Sequence, residues 1–189
     1  MLPKLSSPEL SPIIIRTARP NDIHALSTLL LYSFNHGLGE SHNRWMQGLI
    51  RLSIQTDLTH RINTSSHQTP QNQCLVAVHA SKQNTIVGTV EVSIQRDYPW
   101  SSSKYLYLSN LAVQSECRRQ GIAYELLQRC ESLGKEWGMV DLYLHVREDN
   151  RAARKLYERC GYRVKRLDFN LGSLLLQQAQ PLFLHKKLA

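Results

Sequence analysis

The chain has no apolar run approaching the ~18 residues that a membrane-spanning helix needs, so a helical membrane protein is excluded and no membrane partner is expected. Its four cysteines, Cys74, Cys117, Cys130 and Cys160, are scattered, with no Cys-x-x-Cys pair and no partnered histidine spacing. That pattern argues against a structural zinc and a disulfide framework; no metal is expected, and the setting is a reducing, cytoplasmic one. The first twelve residues hold three prolines, one lysine and no long apolar centre, so residues 1–12 read as a disordered tail and not as a secretory signal. No Gly-Lys-Ser or Gly-Lys-Thr follows the glycine-containing turn near Gly121, which excludes a Walker loop. Only one glycine stands in that turn, which excludes a dinucleotide fingerprint. No zinc finger, helix-turn-helix or aromatic RNA-binding signature is present.

What is present is positive charge on an otherwise ordinary globular composition. The net charge is +8, and Arg147 to Arg166 carry eight basic residues against three acidic ones. Without a nucleic-acid motif, the basic stretch reads as a solvated helix face near a polyanionic ligand, with nucleic acid the weaker partner. A length of 189 residues with 42% hydrophobic content suits one domain with a sizeable core, placed at 13–189.

The hydrophobic patterning alternates between strand and helix, which places the chain in the mixed α/β class. Ile13 to Arg16 reads as the first strand. Pro20-Asn21-Asp22 starts a helix on which Ile23, Leu26, Leu29, Leu30 and Phe34 share a face. After Gly37-Leu38-Gly39, a second helical stretch carries Trp45, Leu49, Leu52 and Ile54, and Gln55 to Gln73 reads mostly as loop. Cys74–His79 and Ile86–Gln95 form a hairpin around Ser81-Lys82-Gln83-Asn84. The loop Arg96–Ser103 leads to a strand from Tyr105 to Val113. A helix from Gly121 to Leu133 buries Ile122, Leu126, Leu127 and Cys130, and Gly134 and Gly138 bracket its end. Val140–Val146 reads as a buried strand. Asn150 caps a helix bearing Ala153, Leu156, Tyr157 and Cys160, and Gly161 closes it. Tyr162 to Val164 and Leu182 to His185 supply the last strands, with Asp168–Gln180 between them.

The most informative stretch runs from Leu108 to Ala123. An apolar strand enters a turn containing Arg118, Arg119 and Gly121, and a helix begins at once. Such an arrangement presents the unpaired N–H groups of a helix N-terminus to an anion, beside two arginines that strengthen the same field. The pattern Arg-x-x-Gly-x-Ala, Arg118 to Ala123, resembles the pyrophosphate-binding loop of the GCN5-related N-acetyltransferases. A second match supports it: Leu144 to Tyr162 gives a strand, an Asn-capped helix, a tyrosine near its end and a Gly-Tyr pair. The resemblance covers Tyr105 to Arg166 most fully. Within the family it points to the ribosomal-protein N-terminal acetyltransferase (RimI-like) branch and to plastid and cyanobacterial members.

That resemblance implies a single mixed, mostly antiparallel sheet of six to seven strands with about four flanking helices, and a splayed parallel strand pair at the cofactor site. Acetyl-CoA is the implied co-substrate. Backbone groups of Leu111, Ala112 and Val113 would pair with its pantetheine arm, with the Leu111 N–H as donor to the thioester carbonyl. Arg118, Arg119, Gln120, Gly121, Ile122 and Ala123, with Tyr124 beside them, would wrap the pyrophosphate. Asn150 matches the asparagine that contacts the cofactor, and is equally accounted for as a helix cap. Tyr157 matches the tyrosine that protonates the departing thiolate, and is otherwise a core aromatic.

The general base has two candidates. The branch places a glutamate five residues before the motif asparagine; here that residue is His145. A histidine can serve as base near neutral pH, and the plain alternative is a structural strand histidine. Glu91 is the rival, acting directly or through water; otherwise it is an exposed strand carboxylate. The expected activity is transfer of acetyl to a protein N-terminal α-amine or lysine, by direct attack in a ternary complex. A small-molecule acetyltransferase, acting on a polyamine, an amino acid or an antibiotic, is the alternative enzyme. A non-catalytic nucleic-acid or regulatory module is the alternative of another class. The chain is expected to work as a monomer or homodimer.

Overall fold

In the computed structural model the described residues are 13–35, 55–59, 62, 72–80, 85–96, 103–167 and 180–188. Seven strands form one sheet: β1 (Ile13–Thr17), β2 (Asn72–His79), β3 (Thr85–Arg96), β4 (Lys104–Val113), β5 (Asp141–Arg147), β6 (Arg163–Leu167) and β7 (Pro181–Lys187). Their order is β1-β2-β3-β4-β5-β7-β6. Every neighbouring pair is antiparallel except β4–β5, the one parallel pair. Among the described residues, four helical segments flank the sheet: α1 (Ile23–Asn35), a short stretch at residues 55–59 (α2), α3 (Ile122–Glu136) and α4 (Arg151–Arg159). The mixed, mostly antiparallel sheet with a parallel pair at its centre agrees with the expectation. No helix among the described residues is long and apolar enough to cross a membrane.

Alternation along the strands assigns the two faces. Leu106, Leu108, Leu142, Leu144, Leu182 and Leu184 turn to one face, where they pack with Ile122, Leu126, Leu127 and Cys130 of α3 and Tyr157 of α4. Leu26, Leu29 and Leu30 of α1 pack on the other face over Cys74, Val76, Val78 and Ile86. Leu58 and Ile62 join that second core, so part of the expected Gln55–Gln73 loop is helical and structural. Their four-residue separation inside a polar stretch is the only sequence signal for it.

Two further expectations need correction. Val140–Val146 is not buried throughout: Leu142, Leu144 and Val146 are buried, whereas Tyr143 and His145 point to the opposite face and Val140 is exposed. The helix end does fall between Gly134 and Gly138, but α3 runs past Leu133 to Glu136, so Gly134 lies within it and Gly138, at φ +67°, terminates the segment. A Cβ on Gly134 would stand 2.5 Å from Leu106 Cδ1 and 2.6 Å from Leu188 Cδ1, so the glycine lets the helix seat on the sheet. That contact offsets the ~1 kcal/mol cost of glycine inside a helix. Gly134→Val is therefore expected to lower the unfolding free energy by roughly 1–3 kcal/mol through overpacking. Denaturant titration measures it, and unchanged stability would contradict this packing.

The expected tail at 1–12, the Phe34 side chain, the helix with Trp45, Leu49, Leu52 and Ile54, the Ser81–Asn84 turn and most of Asp168–Gln180 lie outside the described residues.

Candidate active site

The centre of the sheet is open by construction. β4 and β5 share register only from Leu106↔Leu142 to Leu108↔Leu144. Beyond that point β5 continues against β7 alone, with His145↔Phe183 and Arg147↔Pro181. The far half of β4, Ser109 to Val113, therefore borders a gap on its β5 side. A bulge adds to the divergence: Ser109 faces Glu91 and Ala112 faces Thr89, so Asn110 and Leu111 together oppose Val90. Asn110 absorbs the irregularity at φ +54°, a conformation that asparagine tolerates better than most residues. Leu111 and Val113 are half-buried and Ala112 is buried, so their side chains anchor the strand while their backbone lines the gap.

The turn that follows sits at the end of the gap. A short 3-10 turn, Ser115–Cys117, leads to Arg119 at φ +64° and Gly121 at φ +86°, and α3 starts from there. Left-handed backbone at Gly121 is what a residue without Cβ supplies, and a Cβ there would meet nothing within 4 Å. The open space lies directly in front of the α3 N-terminus. Arg118, Arg119, Gln120 and Tyr124 are exposed, Ala123 is half-buried, and Ile122 is in the core, so Ile122 offers only its N–H. Arg118 Nε–H donates to the Val113 carbonyl at 3.2 Å, folding that guanidinium back along the strand end. The Ser115 hydroxyl holds the Glu116 carboxyl below the ordinary range, with the backbone and Arg118 adding to the effect. Glu116 thus stays ionised and takes back part of the positive field. The segment Val113 to Arg118 also walls a cavity of ≈ 680 Å³ shared with α1.

The candidate catalytic side chains are divided between the two faces of the sheet. On the α1 face, His145 Nδ1 stands 2.8 Å from the Tyr107 hydroxyl. The two are diagonal neighbours, because Tyr107 is in register with Tyr143, two residues before His145. Tyr107 is a candidate site residue that motif reading missed; its odd-numbered position on β4, the face of Ser109 and Glu91, was the available signal. Glu91 lies on that face too, but it is only 6% exposed, correcting the exposed-carboxylate expectation. With β4 between them, Glu91 and His145 are two strands, roughly 10 Å, apart, so the structure does not join the rival bases.

On the α3–α4 face, Tyr157 is 7% exposed and packs edge-on to Tyr162 at 5.7 Å. Burial raises the Tyr157 phenol well above the ordinary range, with smaller contributions from Cys160, Tyr107 and Cys130. Asn150 caps α4 as expected, its Oδ1 accepting from the Ala153 N–H at 3.1 Å, and this leaves its amide N–H groups for another partner. Gly161, at φ +88°, closes the helix.

Comparisons with known proteins place this architecture. A family model described as the acetyltransferase (GNAT) family matches residues 40–162. GCN5-related N-acetyltransferase 10, chloroplastic, of Arabidopsis thaliana is 39% identical over 105 residues, which cover 50% of this chain and 41% of that relative. N-alpha-acetyltransferase 30 of Schizosaccharomyces pombe is 42% identical over 62 residues, 32% of this chain and 41% of that relative. The match thus spans about two fifths of the length of these curated relatives. Among solved structures, the PaiA N-acetyltransferase of Thermoplasma acidophilum in complex with coenzyme A superposes with a TM-score of 0.73 at 20% identity, covering 93% of this chain and 99% of that one.

Proposed function

This chain belongs to the acetyltransferase (GNAT) family, and from that premise we propose that it transfers the acetyl group of acetyl-CoA to a primary amine by direct attack. The observation that carries the reading is the β4–β5 gap, with an anion-ready turn at its end and a hydroxyl–imidazole pair on its rim. The residues fit the co-substrate. The space before Gly121 accepts a phosphate against the first N–H groups of α3, flanked by Arg118 and Arg119. The bulged β4 edge from Asn110 to Val113 offers backbone groups to an amide-containing arm.

When bound, acetyl-CoA supplies an acyl group activated as a thioester. The protein supplies the rest. The Leu111 N–H donates toward charge that develops on the carbonyl oxygen. His145 removes the ammonium proton of the acceptor through Nε2; in the productive tautomer its Nδ1–H donates to the Tyr107 oxygen, which also fixes the ring. Tyr157, kept protonated by burial, offers its O–H to the leaving sulfur. Cys130 and Cys160 are disfavoured as acyl carriers, because burial raises their thiols away from the reactive thiolate form.

The acceptor we propose is a protein N-terminal α-amine, in keeping with the name of the yeast relative. The test is incubation of the purified chain with acetyl-CoA and a panel of free-N-terminus peptides, lysine peptides, spermidine and an aminoglycoside. CoA thiol release and product mass are measured. Acetylated N-terminal peptides are the expected result; acetylation of only the small amines would assign the alternative acceptor class, and absence of any product would refute the enzyme reading.

Gly121→Val is expected to raise the acetyl-CoA dissociation constant at least about tenfold, since the side chain enters the space the phosphate needs. Valine at positive φ also strains the turn by roughly 1–2 kcal/mol, so Gly121→Ala and a melting curve accompany it. Wild-type affinity in both variants by calorimetry would remove the phosphate from this turn.

A further inference from the structure

α4 turns one side to the core and the other to solvent. Ala153, Leu156, Tyr157 and Cys160 pack inward, whereas Arg151, Lys155, Glu158 and Arg159 are exposed. Arg151, Lys155 and Arg159 follow one another at four-residue steps, so they form a stripe about 12 Å long at ~1.5 Å of rise per residue. Their side chains make no hydrogen bond or ion pair to another described residue.

The neighbouring acids leave this stripe positive. Glu158 shares the exposed side but lines a cleft between α4 and β6 together with Arg154 and Arg163. Asp149 is held by Arg147, and on α3 Glu131 is held by Lys186 and Glu136 by Arg129. The other two acids of these elements, Glu148 and Glu125, lie at the starts of α4 and α3. Along the chain the basic stretch adjoins the cofactor residues, but along the helix axis it leads away from them. Lys155 and Arg159 lie roughly 8 and 14 Å beyond Asn150.

The chemistry of the stripe names its occupant. The exposed side of α4 carries no large apolar or aromatic residue, so it offers neither an anchor for a protein interface nor a ring on which an unpaired base stacks. The apolar side is committed to the core, which leaves nothing to insert into a lipid bilayer. A row of fixed anions remains, and a guanidinium fork suits phosphate. Because α4 is half embedded, it cannot enter the deep major groove of B-form DNA, which encloses a helix. It can lie on the wide, shallow minor groove of an A-form duplex. We propose that the outer face of α4, from Arg151 to Arg159, docks on the phosphate backbone of double-stranded RNA. His145 and Tyr107 stand on the opposite face of the sheet, so RNA held there leaves their side of the gap open.

Gel-shift titration of the whole chain with a short RNA duplex, at saturating acetyl-CoA and several salt concentrations, tests this. Binding is expected to weaken with salt at a log–log slope of about 3, near one unit for each phosphate neutralised. Lys155→Gln/Arg159→Gln keeps good helix formers and should reduce that slope by about two and the low-salt affinity roughly tenfold. Lys155→Glu/Arg159→Glu should weaken binding further. Acetyl-CoA affinity should stay at the wild-type level in both variants. Absence of binding at low salt, or wild-type binding by the glutamine pair, overturns the inference. So does equal affinity for a DNA duplex, for single-stranded RNA or for anionic vesicles. Displacement of RNA by acetyl-CoA would put the RNA in the phosphate turn and also overturns it. A chain that binds the duplex but acetylates no amine would refute acetyl transfer and leave the RNA surface standing.

Discussion

His145→Ala is expected to lower kcat/KM by roughly 10²–10⁴-fold, the contribution of a positioned general base. Glu91→Gln should leave kcat/KM near the wild-type value, since that carboxylate is buried two strands away, facing Ser109 and Cys74. Tyr107→Phe keeps the ring and loses the oxygen that holds Nδ1, so kcat should fall, but less than in His145→Ala. Wild-type kcat/KM in His145→Ala would transfer the proton to ordered water or to substrate arriving as free amine, and His145 would revert to a structural residue.

Tyr157→Phe is expected to lower kcat about 10²-fold while acetyl-CoA affinity stays at the wild-type level, because only a transition-state interaction is lost. The substitution is well suited to the question. The ring's edge contact with Tyr162 and its place in the core are retained, so stability should barely change. Steady-state kinetics under conditions where chemistry limits turnover, together with calorimetry for the cofactor, separate the two effects. Wild-type kcat in that variant would leave Tyr157 as a core aromatic, a role its burial already satisfies.

Those two residues show why part of the site was legible in advance and part was not. Tyr157 and Asn150 belong to one helix whose cap, apolar stripe and closing glycine are all encoded within a dozen residues, Asn150 to Gly161. The same holds for the turn into α3, where Gly121 and the arginines lie beside the helix they start. Tyr107 was missed because its partner is 38 residues away, and only the parallel register of β4 with β5 makes them diagonal neighbours. Glu91 was misjudged for a related reason: a strand of alternating residues shows which side chains share a face, but not whether a helix covers that face. Gly134 looked like a helix end, since the Leu106 and Leu188 side chains that require a glycine there come from distant strands.

The sequence by itself determined the elements whose causes are local: the hairpin of β2 and β3, the stripe of α3, the cap of α4, and the arginine- and glycine-bearing turn between strand and helix. Hydrogen bonding and side-chain spacing within a few residues suffice for these. Tertiary structure alone decided the gap between β4 and β5, the bulge at Asn110–Leu111 that aims backbone into it, and the Tyr107–His145 pair. Each of these depends on register between strands that are far apart in sequence, and a shift of one residue in that register would send every one of the side chains to the opposite face.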